Sequence, residues 1–341
     1  MNIYKKIIIT SLCLILVGLV LASIGYFSGG KTQLIKNKIG YSIKGDYKRI
    51  SEKEKLEEFK NIQINANYLD NIEIVKGEEY KIEVDYSERM GKINYKVENG
   101  NLIVNQFSSN KGEIGFDFGF INKEPDYIKI YIPKNKNMKD LVIESKNSDL
   151  KVEDIDGDNI SILCNYGEIN LNNMLSNDMS IKSKNGDIDM KNIKSSSLKV
   201  INDYGDTSFE SINSNDFIVN IKNGEANIND IEVLQNFDIE NDYGEVDIAD
   251  SKLNKLKAII LNGDININNS NIVDSNIENS YGEVNYLVEN SEKSYNYSLS
   301  CSYGDINING KELGETLEKS NNANKNININ SKNGDINLNF R

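Results

Sequence analysis

Tyr166-Gly167-Glu168-Ile169-Asn170-Leu171 and Asn185-Gly186-Asp187-Ile188-Asp189-Met190 are two copies of one phrase. It consists of an Asn or Tyr, a glycine, an acid, and then apolar residues at every second position. The phrase returns at Tyr204-Gly205-Asp206, Asn223-Gly224-Glu225, Tyr243-Gly244-Glu245, Asn262-Gly263-Asp264, Tyr281-Gly282-Glu283, Tyr303-Gly304-Asp305 and Asn333-Gly334-Asp335, after a degenerate first copy at Asn147-Ser148-Asp149. The glycines keep a 19-residue period through most of this series, and the last two gaps, Gly282 to Gly304 and Gly304 to Gly334, are wider. A fixed period of this size marks a stacked repeat, in which a unit buries its apolar face only against its neighbours.

Aligned on the glycine, the repeat shows five apolar columns. They include Ile160, Met179 and Leu198 seven positions before it, and Ile162, Ile181 and Val200 five before. Ile169 and Ile188 lie two after, Leu171 and Met190 four after, and Met174, Ile193 and Ile212 seven after. Within each strand the period is two, so one face is buried. A helix requires a spacing near 3.6, and leucine-rich repeats carry a different frame. The expected fold is all-β: a β-solenoid of about ten 19-residue coils, each built as strand, glycine corner, strand and turn. Lys146, Lys184, Lys222 and Lys332 precede the Asn of the phrase, whereas Asn165, Asp203, Asp242, Ser280 and Ser302 precede the Tyr. In a 19-residue coil, Lys and Asp of adjacent coils face each other, which is favourable; in a 38-residue coil, the Lys stack on themselves. The shorter coil is therefore expected.

Composition limits the chemistry. The 341 residues include 52 acids and 39 bases, with no His and no Trp. Nucleic acid is an unsuitable partner for such a surface, and the commonest general base and transition-metal ligand is missing. Cys13, Cys164 and Cys301 show no metal-ligand spacing or disulfide framework.

Ile7 to Phe27 is an uninterrupted run without charge, preceded by Lys5 and Lys6. About 20 such residues span a bilayer, and the positive-inside rule directs the N-terminus to the cytoplasm. A secretory h-region is shorter. The run is therefore read as an uncleaved single-pass anchor, with a signal peptide cut after Ala22 as the rival. The expected division is a cytoplasmic tail at 1–6, the anchor at 7–27, a stalk at 28–60, a strand-rich cap segment at 61–140 and the solenoid at 141–341. Within the stalk, Ser51 to Phe59 offers a short helix with Ser51 and Glu54 as a capping box. Asn99-Gly100 reads as a tight hairpin turn. Phe116, Phe118 and Phe120 are read as satellite core rather than as a binding tip.

Four features invite a chemical reading. The acid after each glycine suits either a calcium ladder or a solvated corner whose carboxylates accept backbone N–H bonds. One acid per repeat is sparser than calcium β-rolls require, so the corner reading is taken and no metal or cofactor is expected. The column three positions before the glycine (Ser145, Cys164, Ser183, Asn202, Asn241, Asn279, Cys301 and Ser331 among others) shares the parity of the interior. It is read as a buried polar stack bonded along the axis, with both cysteines as inert small residues. The tyrosines share that parity and are expected to fill corners rather than to form a sugar-stacking platform. The insertion at 311–325 is either a polar cap that blunts the last coil's edge or a surface loop. No residue is assigned a catalytic, cofactor or metal role.

An anchor, a strand-rich segment ending in Tyr131-Ile132-Pro133, then Leu141-Val-Ile-Glu-Ser-Lys-Asn-Ser-Asp-Leu150 and the repeated Ser-Lys-Asn-Gly-Asp-Ile resemble the bacterial "putative adhesin" family of unknown function, which includes the LiaG-like membrane-anchored envelope proteins. The resemblance covers roughly residues 60–341 and implies a β-solenoid at the cell envelope with a link to envelope stress. It offers no catalytic residues. The implied role is a non-enzymatic interaction or adhesion scaffold, extracellular and held to the membrane by its N-terminal helix, with an envelope protein or glycan as partner. The alternative is a calcium-binding or polysaccharide-acting β-helix enzyme, which a clustered carboxylate and Lys/Arg groove on one lateral face would favour.

Overall fold

The computed structural model describes residues 3–29, 33–37, 40–43, 48–88, 91–107, 114–117 and 124–341. Apart from the helix Ile3–Phe27 and short 3-10 turns, regular structure among these residues is strand. The helix is 25 residues long and apolar enough to cross a bilayer.

The repeats form a solenoid-like stack of parallel strands in 19-residue register. Strand Ile169–Asn185 lies on Ile188–Tyr204, with Ile169 beside Ile188, Met174 beside Ile193 and Ile181 beside Val200. Ile188–Tyr204 lies in the same way on Thr207–Asn223. The 38-residue alternative is excluded, and Lys222 Nζ sits 2.6 Å from Asp203 of the adjacent coil. Between Gly224 and Gly244 the repeat is one position longer, and the chain absorbs the extra residue as a bulge between Val233 and Asn236 that leaves Leu234 exposed. The apolar columns line one continuous core, in which Ile162, Ile181, Val200, Val219 and Ile239 are essentially inaccessible.

A second corner, unmarked by glycine, lies six positions after the first. Asp154, Asn173, Asn192, Ser211, Asp230, Asp250 and Asn269 all adopt positive φ between 49° and 60°. Asn and Asp tolerate the left-handed region better than other L residues. These side chains also bond up the stack, Asn173 Nδ2 to Asp154 Oδ1 at 3.0 Å and Ser211 Oγ to Asp230 Oδ2 at 2.8 Å.

Both ends of the stack depart from sequence order. At the N-terminal end, Asn61–Ala66 and Asn71–Gly77 lie parallel to Met138–Asn147 and Asp149–Glu153. On their other side they meet Asn101–Phe107 and Tyr127–Pro133, again in parallel. The latter pair is closed by antiparallel strands, Lys92–Glu98 on Asn101–Phe107 and Lys81–Ser87 on Tyr127–Pro133. At the C-terminal end, the last repeat, Lys325–Asn333 with Ile336–Phe340, is not the terminal layer. It lies between Ile265–Tyr281 with Val284–Val288 on one side and Tyr295–Tyr303 with Ile306–Ile308 on the other. The exposed edge of the Tyr295–Tyr303 layer is covered by antiparallel Thr316–Lys319 and Lys311–Glu312. The 311–325 insertion therefore blunts an edge, but that of the penultimate repeat in sequence.

Some expectations need correction. Ser51 to Phe59 forms no helix: Arg49–Lys55 is a strand antiparallel to Lys81–Ser87, and Phe59 is buried in the core. A sheet edge offering a full ladder of partners outweighs the capping box of an isolated short helix. The stretch 28–60 is therefore not stalk throughout, because from Arg49 it belongs to the stack. Likewise 61–77 is a full layer of the stack rather than a cap on it. Asn99 and Gly100 take positive φ and turn the 92–107 hairpin as expected. Backbone Ile114–Asp117 pairs with Gln33–Asn37; Phe118 and Phe120 lie outside the described residues.

Candidate functional site

The functional question concentrates on the glycine corner, because it repeats along one lateral edge. At Gly205 (φ 129°) an added Cβ would fall 2.4 Å from Gly186 O, and at Gly186 one would fall 2.0 Å from Gly167 O. Each corner rests directly on the backbone of the next. Gly167 N–H donates to Asn185 O at 3.1 Å, and Gly205 N–H to Asn223 O at 3.0 Å. Glycine is required here both for its φ and for the absent side chain.

Where the acid that follows is Asp, it joins the same ladder. Asp149 Oδ1 accepts the Glu168 N–H at 3.0 Å, Asp187 that of Asp206 at 2.9 Å, Asp206 that of Glu225 at 2.9 Å, and Asp264 that of Glu283 at 2.8 Å. At the terminal layer Asp335 accepts from Asp305 at 2.9 Å. A carboxylate accepting an amide proton makes a charge-assisted bond, so the Asp residues of the acidic column are structural acceptors, whereas Glu245 Oε1 accepts from the Asn266 side chain.

The column three positions before the glycine is buried, as expected, but it bonds to the corner rather than to itself. Asn202 Nδ2 donates to Gly186 O at 3.1 Å and to Gly205 O at 3.0 Å; Asn241 does the same to Gly224 O and Gly244 O. Ser331 Oγ donates to Gly334 O, and Cys164 Sγ lies 3.3 Å from Tyr166 O. Burial raises the thiol pKa of Cys164 and Cys301, which suppresses the reactive thiolate.

The tyrosines contradict their expected place. Tyr166, Tyr204, Tyr243 and Tyr281 are 54–57% exposed and Tyr303 is 76% exposed. The space inside the corner is already taken by the side chain two positions before each ring. The glycine then turns the chain, so the alternation that leads into the corner does not extend to the residue just before it. The Asn residues of the phrase lie lower, tied back to the backbone: Asn262 Nδ2 donates to Asp242 O at 3.3 Å and Asn333 Nδ2 to Ser280 O at 3.2 Å. A signal for this was present in the sequence. A packed interior column does not swap a large ring for a small amide at every second layer, and the Lys/Asp column beside it alternates in phase.

A lateral groove of about 590 Å³ runs beside the same corners, between Lys151, Glu153, Asp189, Lys191 and Glu210. It brings carboxylates and lysines together, but the lysines are engaged. Lys191 pairs with Glu210 at 2.7 Å and Lys151 with Glu153 at 2.9 Å. Burial, and then the charges of Glu168 and Asp187, hold the Asp189 carboxyl above its ordinary range.

The model of the Toastrack DUF4097 family matches residues 59–231 and, again, 176–339. The chain belongs to the Toastrack DUF4097 family. No curated protein matches it in sequence. Among solved structures, it is similar to a "putative adhesin" from Parabacteroides distasonis (14% identity, TM-score 0.48, 69% of this chain and 95% of that one). It is also similar to a "putative adhesin" from Bacteroides fragilis (11%, TM-score 0.37, 86% and 97%). A third is a "putative lipid binding protein" from P. distasonis (18%, TM-score 0.41, 70% and 96%). The overlap of the two Toastrack matches across 176–231 follows from the repeat, since either alignment frame fits the middle layers.

Proposed function

We propose that this Toastrack protein is a non-enzymatic scaffold at the cell envelope. In this reading the Ile3–Phe27 helix is an uncleaved anchor with Lys5 and Lys6 on the cytoplasmic side. The solenoid, about ten 19-residue coils, stands outside the cell and binds an envelope protein or glycan. The observation that carries the reading is where the charges are spent. Asp149, Asp187, Asp206 and Asp264 accept backbone N–H groups, and the groove lysines are bound to glutamates. Corners held in this way build a long rigid surface and leave the lateral row of rings free for contact. Protease added to intact protoplasts should remove the repeat region while the helix stays with the membrane. Protection of the repeats would overturn the topology, and release of the intact repeat region without protease would favour a cleaved signal peptide.

A further inference from the structure

We infer that the exposed tyrosine row binds an extended β-1,4-linked glycan strand, with one ring per disaccharide. The inference rests on the envelope-scaffold reading and names its ligand class.

Strand pairing sets the order along the row. Asn147 lies beside Tyr166, Tyr166 beside Asn185, Tyr204 beside Asn223, Asn223 beside Tyr243 and Tyr243 beside Asn262. In sequence the alternation fails at the end, where Tyr281 is followed by Tyr303 and only then by Asn333. In space it does not fail. Asn262 lies beside Tyr281, Tyr281 beside Asn333, and Asn333 beside Tyr303. The out-of-order insertion of the last repeat keeps two rings from meeting on adjacent layers.

The rings therefore recur once per two layers, roughly 10 Å at ~4.8 Å per strand. Aromatic pairs stack at about 4.5–7 Å between centroids, so these rings are too far apart to serve one another. No side-chain hydrogen bond or ring contact engages any of the five among the described residues. Each is more than half exposed and combines an apolar ring with a polar hydroxyl, the amphipathic combination that favours tyrosine at binding surfaces.

A periodic platform suits a periodic ligand. In an extended β-1,4 glycan each pyranose is turned over relative to the last, so the same C–H face returns once per disaccharide, a repeat of about the same ~10 Å as two strand spacings. An α-1,4 glycan coils and loses that register. The amides of Asn262 and Asn333 donate to backbone carbonyls, which leaves their Oδ1 atoms to accept from sugar hydroxyls lying between the rings. Charge narrows the choice further. The acidic column flanks the row on one side, Lys146, Lys184, Lys222 and Lys332 alternate with Asn, Asp or Ser on the other, and the chain carries a net charge of −13; this balance favours uncharged or amino-bearing sugars over strongly polyanionic polymers.

The test uses the full chain in detergent micelles. Because the protein has no Trp, a Tyr204→Trp variant carries a single reporter in the row. Titration with cellohexaose and with chitohexaose should shift its emission for at least one of them. Affinity should rise from the disaccharide to the hexasaccharide, and maltohexaose should bind at least tenfold more weakly. Isothermal titration of the otherwise unaltered chain should lose at least tenfold in affinity in the Tyr204→Ala/Tyr243→Ala double variant and keep most of it in the Phe/Phe variant. A thermal melt of each variant shows whether the fold is intact, and Tyr166→Ala serves as the substitute should the double variant not fold. Binding of neither hexasaccharide, equal binding of maltohexaose, or indifference to the Ala substitutions would overturn the inference. So would tyrosine-dependent self-association without glycan binding, which would make a second copy the occupant. The protoplast experiment reads anchoring independently of all these outcomes.

Discussion

The middle of the stack and its two ends solve the same problem by different means. From Asp149 to about Tyr281 each layer lies on its sequence neighbour, and backbone, glycine and Asp ladders hold it. At the ends the chain leaves sequence order, slips one layer between two others and closes the outer one with antiparallel strands. Ion pairs are concentrated there. Arg49 bonds Asp126, which is buried, and also pairs with Asp85, while Lys129 meets Glu73 at 2.7 Å and Lys319 pairs with Glu292. A parallel ladder presents the same unsatisfied edge at every layer, so repetition alone cannot end it. Terminating it takes a strand running the other way, and a terminal strand without a next layer relies on side-chain pairs instead.

If the middle depends on backbone contact at the corner, Gly205→Val should be the most damaging single change. Its Cβ would lie 2.4 Å from Gly186 O at a φ of 129°, and a loss of more than about 4 kcal/mol is expected. Asp206→Asn should cost within about 1 kcal/mol, because the amide oxygen can still accept the Glu225 N–H. Chemical denaturation of the two variants compares them directly, and equal small losses would show that the corner is not the close contact described.

The end is expected to respond in a different quantity. Replacing residues 311–319 with a short Gly-Ser linker should leave the melting temperature within roughly 4 °C while uncovering the Tyr295–Tyr303 edge. Light scattering over a concentration series should then report association that the parent lacks. A variant with the parent's mass and a much lower melting temperature would make the insertion a packing element and not an edge cover.

The smallest effect should come from the groove face of the middle layers. The Asp189 carboxyl is held up by burial and by Glu168 and Asp187. A carboxyl whose pKa is higher folded than unfolded costs stability once pH exceeds its unfolded value, and the cost is relieved as pH falls through the folded one. Asp189→Asn should therefore be slightly stabilising at pH 7, by about 0.5 kcal/mol or less given its partial exposure, and the gain should fade in acid. A constant difference across pH would place its origin outside this ionisation.

Much of the middle was legible because one period governs burial, corner and register together. The Lys222–Asp203 neighbourhood followed from nothing more than the alternation of two columns. The turn expected after the second strand was not assigned to Asn173 and Asn192, because Asn and Asp at positive φ leave a weaker mark than glycine. The ends were illegible for a different reason. Asn61–Ala66 and Lys325–Asn333 carry ordinary strand patterns, and nothing local states which layer a strand will join. Parity misled at the tyrosines, since it holds only while the chain runs straight and the glycine turns it one residue later.

The out-of-order last repeat is the claim on which the edge cover and the even ring spacing both depend, and cross-linking tests it most directly. In a full-length background with Cys13, Cys164 and Cys301 replaced by Ser, Glu278→Cys can be combined with Asn330→Cys or with Ser300→Cys. Glu278 is paired with Asn330, and Asn330 with Ser300. The first pair spans one strand spacing of ~4.8 Å, within disulfide reach, and the second spans roughly 10 Å, beyond the ~7 Å limit. Under mild oxidation the 278/330 variant should close to a disulfide and the 278/300 variant should remain reduced. Closure of 278/300 with 278/330 left open would mean that the layers stack in sequence order and would contradict the account.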